Sequence, residues 1–160
     1  MTVTGIYKDT EVLTMTITAE FDASIGQVWE LWENPRQLER WWGPPTYPAT
    51  VVDHDLTPGG TVTYFMTGPE GEQPRGWWRV LTLNAPHRLE FMDGFADESG
   101  TPNTNMPTMK IQVTISEQPA GITRMEITTT FASLEEMEKI IEMGMEEGMT
   151  LAMAQIDVIL

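Results

Sequence analysis

Apolar and polar residues first alternate along this chain. In "VLTMTITAEF", Leu13, Met15, Ile17, Ala19 and Phe21 share one face, with Thr14, Thr16, Thr18 and Glu20 opposite. A period of two predicts a half-buried strand. The period then lengthens. In "DASIGQVWELWENP", Ile25, Val28, Trp29 and Trp32 recur at helical spacing, Ser24 and Gln27 fit a capping box, and Asn34-Pro35 ends the helix. Pro35 suits the first position of a second short helix, running to about Arg40, before "WWGPP" breaks it.

Period two then returns in six short runs: "ATVVDHDL", "TVTYFMT", "WWRVLTL", "LEFMDGF", "TMKIQVTI" and "ITRMEITTTF". Turns rich in Gly and Pro separate most of them, and "ADESGTPNTNMP" forms a longer polar loop. Short connections favour antiparallel pairing. Ser133 and Glu136 repeat the capping pattern, and no proline follows before Leu160. The spacing therefore predicts one closing helix of about 27 residues, roughly 40 Å long at 1.5 Å per residue. A sheet that buries one face needs a cover, and this helix is the element large enough. The expected fold is α+β: a curved antiparallel sheet of about six to seven strands wrapped around a long C-terminal helix, with two short helices after the first strand. Residues 1–160 are read as a single domain, with 1–10 as an N-terminal extension.

On that helix, Met137, Ile140, Ile141, Gly144, Gly148, Leu151, Ala152 and Gln155 fall on one face, and Glu135, Glu138, Glu142, Glu146 and Glu147 fall largely opposite. Glycine within a helix costs roughly 1 kcal/mol relative to alanine. Two readings of Gly144 and Gly148 stay open. They allow close packing of the helix on the sheet, or they leave a hollow beside flexible methionines such as Met145.

Charge and composition remove several function classes. The chain has 160 residues, 9 Lys plus Arg against 24 Asp plus Glu, a net charge of −15, and no cysteine. The field of such a surface repels phosphate backbones, so no nucleic-acid partner is expected. Without cysteine there is no disulfide, thiolate metal site or thiol nucleophile. No apolar run approaches the ~18 residues of a membrane span, and the N-terminus lacks the pattern of a signal peptide. A cytoplasmic, soluble protein with no membrane association is expected; a homodimer is compatible with this reading.

The candidate chemistry is sparse. In "DHD", a strand turns His54 away from Asp53 and Asp55, so no metal site is expected there. His54 is a candidate general base, because imidazole titrates near neutrality. Tyr64 and Arg79 are candidates to assist proton transfer, although Arg79 also reads as the cross-strand ion-pair partner of Glu90. Ser24 and Ser133 read as caps, and neither a G-x-S-x-G motif nor a phosphate loop occurs. No cofactor is expected.

Four segments carry a family resemblance: "FDASIGQVWELWENPRQLERWWGP", "DLTPGGTVTYFM", "RGWWRVLTLNAPHRLEF" and "FASLEEMEKIIEMGMEEGMTLAMAQIDVIL". Across about residues 11–160 the chain resembles the START-like, helix-grip superfamily (SRPBCC). Within it, the chain is most similar to the group named after the C-terminal domain of the heat-shock-protein-90 ATPase activator. The resemblance implies a deep cavity between sheet and long helix, holding a small apolar or aromatic molecule. Of the adjacent Trp77 and Trp78, it favours Trp78 as the inner one. The residues expected to meet a ligand are Trp42, Tyr64, Met66, Trp78 and Phe91 from the N-terminal and sheet side, with Ile141, Gly144, Met145 and Gly148 from the helix. Some members of the superfamily are polyketide cyclases or hydrolases, which makes an enzyme an alternative to a binding protein. A stress-response or co-chaperone-like interaction module is a further alternative, although the eukaryotic activator relies on an additional N-terminal domain.

Overall fold

The structure, a computed structural model, describes residues 3–160. Eight strands form one antiparallel sheet: β1 (Val3–Asp9), β2 (Thr14–Phe21), β3 (Ala49–His54), β4 (Thr61–Met66), β5 (Arg75–Asn84), β6 (Arg88–Ala96), β7 (Met109–Glu117) and β8 (Thr123–Thr130). Their spatial order is β1-β2-β8-β7-β6-β5-β4-β3. Two short helices, α1 (Ile25–Glu33) and α2 (Pro35–Trp41), follow β2, and α3 (Leu134–Glu142), α4 (Met145–Ala154) and α5 (Ile156–Ile159) close the chain. The result is an α+β helix-grip arrangement.

The sheet has one strand more than the upper expectation. Residues 3–9, read from sequence as part of an extension, pair with β2 as an edge strand. Their side chains are mostly exposed on both faces, so no apolar alternation marks them. The Lys8 ammonium holds this edge to α4 through Glu146, at 3.0 Å. By contrast, β2 alternates between buried and half-buried positions along its length, as its pattern predicts.

The two short helices start where their caps place them. The Ser24 hydroxyl accepts from the Gln27 amide at 3.2 Å, and the Gln27 side chain accepts from the Ser24 amide at 2.9 Å. The Asn34 side chain then caps α2, accepting from the Arg36 amide at 2.9 Å, with Pro35 at the first helical position. Between them α1 and α2 bury Leu31, Trp32, Leu38 and Trp41.

The expected single C-terminal helix is broken into three. Gly144 sits at φ +93°, in the left-handed region, and α3 ends there. Its amide turns back to the Ile141 carbonyl at 3.0 Å. The residue read as an internal flaw of one helix is thus the hinge between two, a conformation that glycine adopts without a Cβ penalty. The kink resets the helical phase. Met137 and Ile140 are buried before it and Ala152, Met153 and Ile156 after it, whereas Leu151 is 46% exposed and Gly144 itself is exposed. Gln155 ties the far end down: its side-chain amide donates to the Gly43 carbonyl at 2.7 Å.

Candidate functional site

A hollow of about 240 Å³ lies between the inner face of the sheet and the α3–α4 corner. Its sheet side is Tyr64 and Met66 from β4, Asp93 and Phe95 from β6, and Met109 from β7. Its helical side is Ile140, Met143, Gly144, Met145, Gly148 and Met149, and Trp42 and Pro44 complete the wall. A Cβ built on Gly148 would meet no atom within 4 Å, and the same holds at Gly144. Close packing against the sheet is therefore not why either glycine is there: one leaves open space over the hollow and the other makes the turn. Met143 is 56% exposed, so the hollow reaches solvent at the kink.

Of the nine residues expected to meet a ligand, six line this space: Trp42, Tyr64, Met66, Gly144, Met145 and Gly148. Trp78 and Phe91 point inward from their strands but lie underneath, fully buried and stacked on each other with centroids 4.0 Å apart. Trp42 packs edge-on against Trp78 at 4.8 Å and separates that layer from the hollow. Ile141 packs against the core, and its neighbour Ile140 takes the lining position. Trp41 is a plug: it is buried, and its indole donates to the Leu31 carbonyl at 3.0 Å.

Two cross-strand glycines shape the sheet side. Gly76 lies opposite Tyr64 in the β4–β5 register, and a Cβ there would overlap the Tyr64 ring and hydroxyl. On the opposite face Gly94 lies opposite Trp77 and makes the same allowance for its indole. Trp77 then donates to the Phe95 carbonyl at 3.0 Å. The aromatic ring covers the glycine in each pair, a device that also pins strand register.

The polar centre of the hollow is Asp93, which alternation along "LEFMDGF" places on the same face as Leu89 and Phe91. Burial is the main cause that lifts its carboxyl to about 7, opposed by the adjacent Tyr64 hydroxyl and the Gly94 amide. Burial also raises the Tyr64 hydroxyl, and the Asp93 charge adds to this, so Tyr64 stays protonated near neutrality. The indole nitrogens of Trp42 and Trp78 are buried, with no hydrogen-bond partner among the described residues. A smaller hollow of about 100 Å³ adjoins the first and shares Tyr64, Met66, Asp93, Phe95 and Met109 with it. Asp93 is the functional candidate that the sequence reading missed. The available signal was an aspartate at an inward position of an otherwise apolar strand face.

The other proton-transfer candidates stand elsewhere. The Nε2 of His54 donates to the Trp32 carbonyl at 2.9 Å, and the residue does not border the hollow. Its neighbours diverge from it: Asp53 accepts from the Thr63 hydroxyl at 2.6 Å and Asp55 from the Thr57 hydroxyl at 2.7 Å. Among the described residues, no group of three His, Asp or Glu side chains could hold a metal ion. Arg79 is exposed, opposite Thr61 and Met92, so the expected Arg79–Glu90 pair does not form. Glu90 is held instead by Arg88 and Lys110, each at 3.5 Å. The Thr82 hydroxyl, followed by the Gln112 amide, lowers its carboxyl to about 2. Among the described residues, no helix is long and apolar enough to cross a membrane.

Comparisons with known proteins agree with this architecture. No functionally curated protein matches the chain. Among solved structures, the chain is similar to protein Ms6760 from Mycobacterium smegmatis, at 49% identity and TM-score 0.91, over 99% of this chain and 96% of that one. It is also similar to a protein from Arthrobacter aurescens, at 53% identity and TM-score 0.92, over 98% and 90% of the two chains. An AHSA1 protein from Silicibacter pomeroyi, 19% identical with TM-score 0.70 over 91% and 95%, shares the fold. The family model described as "Activator of Hsp90 ATPase homolog 1-like protein" matches residues 22–160, and the chain belongs to that family.

Proposed function

We propose that this protein binds a small apolar or aromatic molecule in the hollow between the sheet and the α3–α4 corner. The observation that carries the reading is the open space over Gly148, inside a helix, facing a wall of methionine and aromatic side chains. A helix that needed only to cover the sheet would gain stability from alanine there. Binding sites are concave and mostly apolar, with a few polar groups that fix orientation, and this wall has that make-up. The volume of about 240 Å³ lies below the usual ~300–1,000 Å³ of drug-sized sites, which points to a compact ligand. The thioethers of Met66, Met109, Met145 and Met149 can re-pack around different shapes. Turnover of a bound substrate draws less support, because His54 and Arg79 stand outside the hollow and Tyr64, which lines it, holds its proton near neutrality.

The test is to fill the space. Gly148→Leu places an aliphatic side chain in the hollow from a helical position. Titration of wild type with naphthalen-1-ylmethanol, followed by tryptophan fluorescence, is expected to saturate. Gly148→Leu is expected to keep the native circular dichroism and lose the response. Equal binding by both proteins would place any ligand site elsewhere.

A further inference from the structure

We infer that the ligand carries a cationic head group, a protonated amine on a compact apolar or aromatic body, and that Asp93 is its anchor. The inference rests on the binding function proposed above and names the class of molecule bound. Among the described residues, Asp93 is the one carboxylate that lines the hollow, and no lysine, arginine or histidine lines the larger space. Among the described residues it has no ion-pair partner. A carboxyl held in an apolar wall without a counter-ion is costly to ionise, and an entering cation removes that cost. The walls beside it suit the same charge. Trp42, Tyr64 and Phe95 present aromatic rings to the hollow, and a desolvated ammonium is attracted to such ring faces. An anionic ligand would instead meet Asp93 with no cation to offset it.

The groups facing Asp93 from each neighbouring element support this assignment. From β4 the titratable group is Tyr64, whose raised pKa keeps it neutral. From β5 the residue opposite is Trp78, and from β7 it is Met109. The α3–α4 corner contributes Ile140, Met145, Gly148 and Met149, none of them charged. Arg75 borders the smaller hollow, but its guanidinium lies over the Phe65 ring, 4.9 Å from the centroid. Lys110 on β7 is engaged with Glu90. The net charge of −15 adds a long-range field that draws cations toward the protein.

Three ligands with one ring system and different heads separate the possibilities: naphthalen-1-ylmethylamine, naphthalen-1-ylmethanol and naphthalene-1-carboxylate. Calorimetric titration of the full chain at about pH 8, where Asp93 is ionised, is expected to rank amine, alcohol and carboxylate in that order, about tenfold apart at each step. Near pH 5.5 the amine remains charged while Asp93 takes up a proton, so its advantage over the alcohol is expected to collapse. In Asp93→Asn the affinities for the amine and the alcohol at about pH 8 are expected to converge. Should that variant fail to fold, the wild-type comparison at the two pH values decides. Binding of the carboxylate as tightly as the amine, or an amine advantage that survives Asp93→Asn or low pH, overturns the inference and leaves the binding function standing. Binding of none of the three overturns both.

Discussion

The ring of Tyr64 occupies the space that a side chain at Gly76, its cross-strand partner, would fill. That relationship fixes where the Tyr64 hydroxyl can point, and so sets the polar end of the hollow beside Asp93. The glycine is therefore part of the site although it presents no functional group.

Replacing Gly76 by valine should push the Tyr64 ring off the sheet. Overpacking of this kind costs about 1–3 kcal/mol. Urea unfolding of Gly76→Val is expected to show that loss, with a change in near-ultraviolet circular dichroism because Tyr64 packs against Trp42 and Trp78. An unchanged unfolding midpoint would mean that the ring has room to move aside.

The two helical-region glycines should respond to alanine with opposite signs. Gly144 holds φ +93°, so Gly144→Ala is expected to lose roughly 1–2 kcal/mol. Gly148 lies within α4 with free space at its Cβ, so Gly148→Ala is expected to gain up to about 1 kcal/mol. Denaturant midpoints of both variants measure the contrast. Equal effects would contradict the assignment of one glycine to the hinge and the other to the open space.

That contrast also marks how far the sequence could be read. Helical spacing put Gly144 and Gly148 on one face, but periodicity assumes an unbroken helix. Whether a glycine sits inside a helix or ends one depends on its φ, which spacing does not encode. The strands β2, β4 and β7 and the caps at Ser24 and Ser133 were legible, because period-two alternation and capping chemistry are local. The edge strand β1 was not, because neither of its faces is consistently buried and the pattern has nothing to report. Tyr64 and Met66 were legible as inward residues by alternation. Alternation left Trp77 and Trp78 open and only the family resemblance favoured Trp78 as the inner one, while the layer that Trp42 forms above it depends on tertiary packing. Arg79 and Glu90 were misread as partners because adjacency of two strands does not give their register, which sets Arg79 opposite Met92 and Glu90 opposite Thr82.

Asp93 should make stability fall as pH rises. Its carboxyl titrates near 7 in the folded protein and near 4 when unfolded, so between these values the folded state alone keeps the proton. The stability it allows is full below about pH 4, declines as pH rises toward about 7, and changes little above. Asp93→Asn is expected to abolish that decline and to be more stable than wild type by roughly 1–3 kcal/mol at about pH 8. Urea unfolding across the range checks it, and a wild-type stability that rises from about pH 4 to about pH 7 would contradict the sign.

Methionine methyl groups provide the most direct measurement of where a ligand sits. Met66, Met109, Met143, Met145 and Met149 line the hollow, whereas Met15 and Met125 are buried in the core away from it. With methyl-labelled methionine, NMR titration with naphthalen-1-ylmethanol should shift the lining signals along one saturable curve. The Met15 and Met125 signals should stay in place. Saturable shifts confined to methionines outside the hollow, or no shift at all, would contradict a ligand site between the sheet and the α3–α4 corner.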